Sequence, residues 1–439
     1  MQTNFTLAQL ADPETARSEH ILRKCVHCGF CTATCPTFVL LGDERDSPRG
    51  RIYMIKSMLE GDRAPTASEV RHVDRCLSCL SCMTTCPSGV NYMHLVDHGR
   101  HHIEETYERP LPDRLMRRWL AWLMPRPTAF RWSLVLGRLA RPLASLLPAR
   151  SADPGGATFL RRLRALLEAV PARVPGPSPV DRPQTFPAAG ARRKRVALMP
   201  GCGQQVLAPE VNEATVRLLT RHGVEVVNVA GSGCCGSSVL HVGDKDQAME
   251  LARRNVAAWM REIDGEGLDA IVINASGCGT TVKDYATLLG DDPAWKDRAA
   301  RVASLARDIS EVMVEVGLAN VTARPLTVAY HAACSMQHGQ KLIEPPKRLL
   351  REAGFTVRDV PESHLCCGWA GTYQVLQPDL SRRLRDRKVA NIESLRPDVI
   401  AAGNFGCIGN IAGGTGLPVV HTVELLDWAT GGPAPAGLG

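Results

Sequence analysis

The sequence predicts an α+β multidomain protein: a small helical domain built around cysteines, followed by two tandem α/β repeats related by pseudo-twofold symmetry. Three observations predict it. The 16 cysteines fall into two sets of eight, Cys25 to Cys86 and Cys202 to Cys407, with none between. The second set repeats: Cys202 and Cys334 are 132 residues apart, as are Cys234 and Cys366, and Cys235 and Cys367; Cys278 and Cys407 are 129 apart. Around the repeated cysteines short apolar runs alternate with helical periodicity, the pattern of a parallel sheet with helices on its faces. The expected regions are 1–110, the cysteine-bound helical domain; 111–191, a basic amphipathic segment and linker; and 192–320 and 321–439, the two repeats.

Length and composition fit this division. A chain of 439 residues is long for one domain, and its 44% hydrophobic and 22% charged residues are those of a soluble globular protein. No run of about 18 apolar residues reads as a membrane span. Residues 1–24 lack the apolar core of a signal peptide, so the expected compartment is the cytosol, where clustered cysteines bind metal more often than they pair. The formal charge of +7 is unevenly spread: residues 111–195 hold 17 Lys and Arg against 4 Asp and Glu, leaving the remainder net acidic.

In the first region, Cys25-x-x-Cys28-x-x-Cys31-x-x-x-Cys35-Pro36 recurs as Cys76-x-x-Cys79-x-x-Cys82-x-x-x-Cys86-Pro87. This is the bacterial ferredoxin spacing, in which three thiolates at three-residue intervals converge on one [4Fe–4S] cube. The fourth, ahead of a proline, ligates the other cube. Cys25, Cys28, Cys31 and Cys86 are therefore assigned to one cluster, and Cys35, Cys76, Cys79 and Cys82 to a second. Structural zinc also uses Cys-x-x-Cys pairs, but needs no cross-over between two full repeats and fits poorly. Forty residues separate the runs, with a helix expected from Ile52 to Glu60, so a helical version of the two-cluster domain is expected. His27 would be a redundant ligand.

The basic segment carries Trp119, Trp122 and Trp132 among leucines between Leu115 and Leu147, interleaved with Arg114, Arg117, Arg118, Arg126, Arg131, Arg138 and Arg141, and broken by Pro125 and Pro127. Such a composition suits a helix lying in a membrane interface, or an amphipathic pair packed on a partner subunit or on the first domain. No nucleic-acid-binding module accompanies the charge, which argues against such a partner. Residues 171–190, rich in Pro and Ala, read as a linker.

In the repeats, strands are expected at Arg195–Met199 and Leu326–Tyr330, at Gly223–Val227 and Gly354–Arg358, and at Asp269–Ile273 and Asp398–Ala402, with helices at 212–221 and 246–262. The cysteines follow the strands, where open α/β sheets hold ligands. Each unit offers four thiolates, Cys202, Cys234, Cys235 and Cys278 in one and Cys334, Cys366, Cys367 and Cys407 in the other. That number serves a cluster or a zinc ion, or the cysteines are small hydrophobes. Gly231-Ser-Gly-Cys-Cys-Gly236 matches the dinucleotide fingerprint, but the second unit reads Ser363-His-Leu-Cys-Cys-Gly368. The repeated element is Cys-Cys-Gly, so no NAD or flavin is expected on this chain. His331, three residues before Cys334, is read as a satisfied buried histidine ahead of a donor to a cluster sulfur or a bound quinone, and His241 and His364 are read in the same way.

At these residues the sequence resembles the iron–sulfur subunit of glycolate oxidase. The likeness runs through Cys25-Val-His-Cys-Gly-Phe-Cys-Thr-Ala-Thr-Cys-Pro36, Ser47-Pro-Arg-Gly-Arg-Ile52, Cys76-Leu-Ser-Cys-Leu-Ser-Cys-Met-Thr-Thr-Cys-Pro87 and both Cys-Cys-Gly units. The resemblance implies an electron-transfer subunit of an oxidoreductase complex, in which separate FAD-binding subunits oxidise a 2-hydroxy acid and electrons leave towards quinone. Docking through the basic segment 115–147 would place the chain on the cytoplasmic face of the inner membrane, where quinone is. Subunits of D-lactate or glycerol-3-phosphate dehydrogenase complexes, and of heterodisulfide reductase, are related alternatives. The last of these carries a fifth cysteine per unit, and here Ala275 and Asn404 stand in its place.

Overall fold

The computed structural model describes residues 1–148 and 158–439; residues 149–157, part of the basic segment, lie outside the described residues. The first domain is helical. Helices Pro13–Lys24, Pro48–Gly61, Ala67–Asp74 and Tyr92–Thr106 enclose a core of Leu22, Ile55, Met58, Val73, Leu95, Val96 and Ile103. Polar caps fix their starts: Asp12 accepts from Thr15 N–H, Ser47 from Gly50 N–H, and Thr66 and Glu69 form a capping box. The helix expected from Ile52 begins earlier, at Pro48, because the Ser47 cap precedes it and a proline costs nothing in the first turn.

The first repeat holds β1 (Gln184–Phe186), β2 (Lys194–Leu198), β3 (Val224–Asn228), β4 (Ala270–Ile273) and β5 (Ala306–Asp308), in the order β1-β3-β2-β4-β5. The second holds β6 (Thr327–His331), β7 (Thr356–Asp359), β8 (Val399–Ala402) and β9 (Val419–His421), in the order β7-β6-β8-β9. All pairings are parallel except β1 with β3. Without β1 the two sheets have the same order, and in register too they agree: Val196 lies between Val226 and Ala270, Val328 between Val357 and Val399. β1 falls inside the stretch read as linker. Its pairing is through the backbone at a sheet edge, so its side chains carry no strand pattern, and the first repeat reaches upstream of residue 192.

The two units pack by exchange. Helix Pro209–Arg221 of the first lies against Thr422–Ala429 of the second, and helix Glu344–Glu352 of the second against Ile309–Val316 of the first. These are equivalent elements of the two units, so the contact is made twice around a pseudo-twofold axis. One core, including Leu218, Leu219, Val312, Leu349, Leu350 and Leu426, runs through both.

The basic segment forms helices Leu111–Leu123 and Pro127–Ala140, parted at the prolines. Met116, Leu120 and Ala121 pack on Val239, Val242, Val375 and Leu376 of the repeats. Arg117 does not join an exposed basic face: it is buried, and donates to Asp74 (2.7 Å) and Asp113 (3.2 Å). Trp122, Trp132, Leu136, Leu139 and Leu146 remain exposed. No described helix is long and apolar enough to cross a membrane.

Candidate metal centres

The two Cys-x-x-Cys loops take the same backbone path. Left-handed residues fall at equivalent places, His27 (φ 58°) and Gly29 (87°) in one, Ser78 (49°) and Leu80 (62°) in the other. Three of these four are not glycine, and such a conformation costs about 1–3 kcal/mol per residue, strain of the kind held at functional sites. It turns each loop around a hollow. The outer hollow is lined by Cys25, Cys28, Cys31 and Cys86. The inner one is lined by Cys35, Cys76 and Cys79. Cys82 stands on the wall between and lines both, as do Pro48 and Tyr92. The structure thus gathers Cys86 with the first loop's thiols and Cys35 with the second's.

The hollows differ in surroundings. Cys28 is exposed among exposed Val26, His27, Phe30 and Tyr53, whereas Cys35, Cys76, Cys79 and Cys82 are all buried. Burial pushes the Cys31 thiol up to about 11, and burial with neighbouring thiols pushes Cys79 and Cys82 well above the ordinary range. Four buried thiols disfavour one another's anions, so the donor set fits a group of high positive charge, as iron provides. The inner wall is prepared for such charge. Ser78 N–H points at Cys76 Sγ (3.4 Å), the Tyr92 hydroxyl at the same sulfur (3.8 Å) and the Arg51 guanidinium at Cys35 Sγ (3.8 Å). The sequence motif Ser47-Pro-Arg-Gly-Arg51 thereby acquires a place, between the hollows, that its spacing alone did not reveal.

In the repeats the cysteines follow the strands as expected and converge in both units. The glycine after each pair, Gly236 (φ 89°) or Gly368 (95°), is left-handed; an added Cβ would lie 3.0 Å from Ala248 O or 2.4 Å from Ser381 O. That explains the repeated Cys-Cys-Gly: the loop turns where only glycine clears the following helix. In the first unit Cys202 lies against Cys234, and Cys235 against Cys278. In the second, Cys334 Sγ is 3.8 Å from Cys366 Sγ, and Cys367 lies against Cys366 and Cys407. The inner hollow adjoins this second set: Cys79, Leu77, Cys366, Tyr373 and Cys334 share one apolar cluster, and the Tyr373 hydroxyl donates to Arg75 O (3.1 Å).

Of the residues standing where a fifth cysteine would be, Ala275 is buried and Asn404 has a structural task. Asn404 caps the helix Phe405–Ala412 through Gly406 N–H (2.9 Å) and donates to Ser276 Oγ across the unit interface (3.1 Å). Among the histidines, His27 is exposed, edge-on to Tyr53. His241 is half-buried, its Nε2 3.3 Å from Ser237 Oγ and its pKa pushed down to about 3 by burial, and burial also lowers His364. His331 corrects the reading of a satisfied core histidine: it is 1% exposed, and neither ring nitrogen has a hydrogen-bond partner among the described residues.

Comparison with known proteins follows these divisions. Residues 24–90 match the family model of a 4Fe-4S dicluster domain, and residues 196–283 and 328–412 that of a cysteine-rich domain. The chain is 41% identical to the glycolate oxidase iron-sulfur subunit of Escherichia coli K12, across 98% of this chain and 99% of the relative. It is 31% identical to the probable glycolate oxidase iron-sulfur subunit of Bacillus subtilis 168, with the same coverage. Lactate utilization protein A of Bacillus licheniformis is 30% identical, over 53% of this chain and 99% of its own length. A crystal structure of a hypothetical protein from Helicobacter pylori superposes with a TM-score of 0.51 at 10% identity, covering 96% of this chain and 73% of that one, a likeness of fold alone.

Proposed function

The chain belongs to the family of glycolate oxidase iron-sulfur subunits, and from that membership we propose that it conducts electrons from partner FAD-binding subunits, which oxidise glycolate or a similar 2-hydroxy acid, towards quinone. The observation that carries this reading is the adjacency of two four-thiol hollows sharing the Pro48–Tyr92 wall, one open at exposed Cys28 and the other sealed. Cys25, Cys28, Cys31 and Cys86 would hold one [4Fe–4S] cluster, and Cys35, Cys76, Cys79 and Cys82 the other. Such clusters, when bound, supply one-electron steps that split the two electrons of a reduced flavin. The chain's own residues hold and tune. Arg51 and the Tyr92 hydroxyl stabilise negative charge on the inner sulfurs, and burial sets the inner site apart from the outer. Apolar Val26, Phe30 and Tyr53 around Cys28 offer a partner a dry contact at the outer site. No side chain here is required for acid–base work on the hydroxy acid.

The exposed face of Trp122, Trp132, Leu136, Leu139 and Leu146, with Arg118 and Arg126 beside it, is assigned to the anionic cytoplasmic surface of the inner membrane, where quinone resides.

The test is anaerobic purification of the chain with whatever co-purifies, followed by iron, sulfide and flavin analysis and by reduction with glycolate, D-lactate and glycerol 3-phosphate. About eight irons per chain, bleached by glycolate through a flavoprotein partner, is the expected result. Bleaching by D-lactate or glycerol 3-phosphate alone would reassign the complex to one of those substrates. If no 2-hydroxy acid bleached an otherwise active complex, the reading would fall.

A further inference from the structure

The second cysteine-rich unit differs from the first in one respect that the repeat conceals. Three residues before its leading cysteine stands His331; the equivalent position in the first unit is Met199. Both are buried at the end of the central strand or just past it, but a buried imidazole needs partners and a thioether does not. Leaving a polar group unsatisfied in a core costs about 1–3 kcal/mol. His331 lies close enough to Cys367 to favour its thiolate, yet neither nitrogen attains hydrogen-bond geometry with any described group. A His331 ring nitrogen, Cys367 Sγ and Cys407 Sγ all lie within 4.8 Å of one another. Among the described residues no three thiols of the first unit converge in this way.

The spacing of the donors points to the size of the guest. A tetrahedral ion with metal–sulfur bonds of about 2.3 Å sets its thiolates about 3.8 Å apart. The His331 ring nitrogen, Cys367 Sγ and Cys407 Sγ, all within 4.8 Å of one another, span a distance that one ion can draw together. A four-iron core interposes its own atoms and holds its thiolates wider. Among the described residues no three of the eight N-terminal cysteines draw so close together. The surroundings also carry charge of the right sign. Lys388, 2% exposed, sits on the helix behind the Cys-Cys pair and donates to Glu362 O (2.7 Å); burial lowers its pKa, and anionic Cys367 and Cys366 oppose that shift. In the first unit neutral Asn255 occupies the comparable helix and bonds Cys234 O (2.8 Å).

We propose that the second cysteine-rich unit binds a single tetrahedral zinc-class ion through His331, Cys367 and Cys407, its fourth ligand drawn from the Cys334–Cys366 pair, and that the first unit does not. Imidazole with three thiolates is a closed zinc donor set, and closed sets hold structure rather than activate water. Three thiolates around a dication leave one negative charge, which buried Lys388 offsets. The ion would brace the strand end at His331, the Cys-Cys turn and the helix carrying Cys407 beside the wall that Cys79 shares with Cys334 and Cys366.

The experiment counts zinc and iron separately in the full chain, purified anaerobically without added chelator, and reads the zinc shell by X-ray absorption. The expected result is about one zinc per chain, with one nitrogen and three sulfurs. His331→Met, which copies Met199, loses that zinc while the iron content and visible spectrum stay as in the parent. His331→Cys keeps the zinc in an all-sulfur shell, so a merely structural histidine is distinguished from a ligand. Cys202→Ser leaves the zinc in place. The proposal is overturned by a parent chain free of zinc, by extra iron beyond the N-terminal complement in its stead, or by full zinc in His331→Met. A chain with zinc but no iron would instead refute the electron-carrier reading and leave this one standing.

Discussion

Arg51 and Asp46 face each other at 3.3 Å, both sealed from solvent, beside the thiol of Cys35. Arg75 approaches the same carboxylate at 2.7 Å, so two guanidiniums share one acid and a positive charge is left over next to the inner hollow. The surplus suits a site of four thiolates. Arg51→Met removes it and leaves Asp46 with one guanidinium. Asp46 is not orphaned, and what is lost is the charged hydrogen bonds of Arg51 to His72 O (2.6 Å) and Thr37 Oγ1 (3.0 Å), about 1.5–3 kcal/mol each. The expected outcome is a large loss of stability in anaerobic denaturation and a more negative reduction potential at the inner centre only, measured by EPR-monitored titration.

Cys35 and Cys86 each line the hollow of the other loop, which makes their substitutions distinguishable by pairing. Cys86→Ser combined with Cys28→Ser damages a single site and should cost about four irons in all. Cys86→Ser combined with Cys79→Ser damages both and should cost about eight. Iron analysis of the two double variants separates this arrangement from ligation within each loop, which forecasts the opposite ranking.

Asp97 is half-buried, and its sealed Oδ1 has no hydrogen-bond partner among the described residues, with the Arg100 guanidinium 3.9 Å away. Burial pushes its pKa up to about 7. Since an unfolded Asp titrates near 4, the folded chain retains a proton that the unfolded one releases. The contribution is full below about pH 4 and is lost as pH rises through about 7. Asp97→Asn fixes the neutral form. Its melting temperature should exceed the parent's at pH 8 and match it near pH 4, so a constant difference across that range would refute the assignment.

Trp132 is 64% exposed and Leu139 76%, on a helix whose other face is buried through Phe130 and Leu134. Replacing both with serine leaves the packed face alone and removes apolar area from the exposed one. Co-sedimentation with vesicles containing anionic lipid is expected to fall at least several-fold, and that of the parent to weaken with salt. Unchanged sedimentation, or loss of the flavoprotein partner instead, would assign this face to a protein contact.

The parts legible in the sequence were those set by local chemistry. Apolar runs such as Ala270–Ile273 and Val399–Ala402 are buried on both faces of parallel sheets and have few alternatives as strands. The thiol spacings fix which residues meet. Less was readable where distant groups decide. Arg117 looks like any surface arginine until Asp74, 43 residues upstream, is seen beside it. Gln184–Phe186 is a strand only because the edge of β3 accepts it. His331 shows in its own neighbourhood only as a histidine three residues before Cys334; what sets it apart is Met199 at the equivalent place, and the unsatisfied ring that the packing reveals.

The exchanged helices of the cysteine-rich units have a consequence for how the chain tolerates being cut. Each unit lends the other part of its wall, with Arg217 and Arg221 of one holding Asp427 of the other at 2.8 and 2.9 Å. A fragment ending near residue 320 would expose the apolar flank of Pro209–Arg221, and one beginning there would strip Glu344–Glu352 of its cover. The pair is therefore expected to unfold as a single cooperative block, since neither half keeps its core covered without the other.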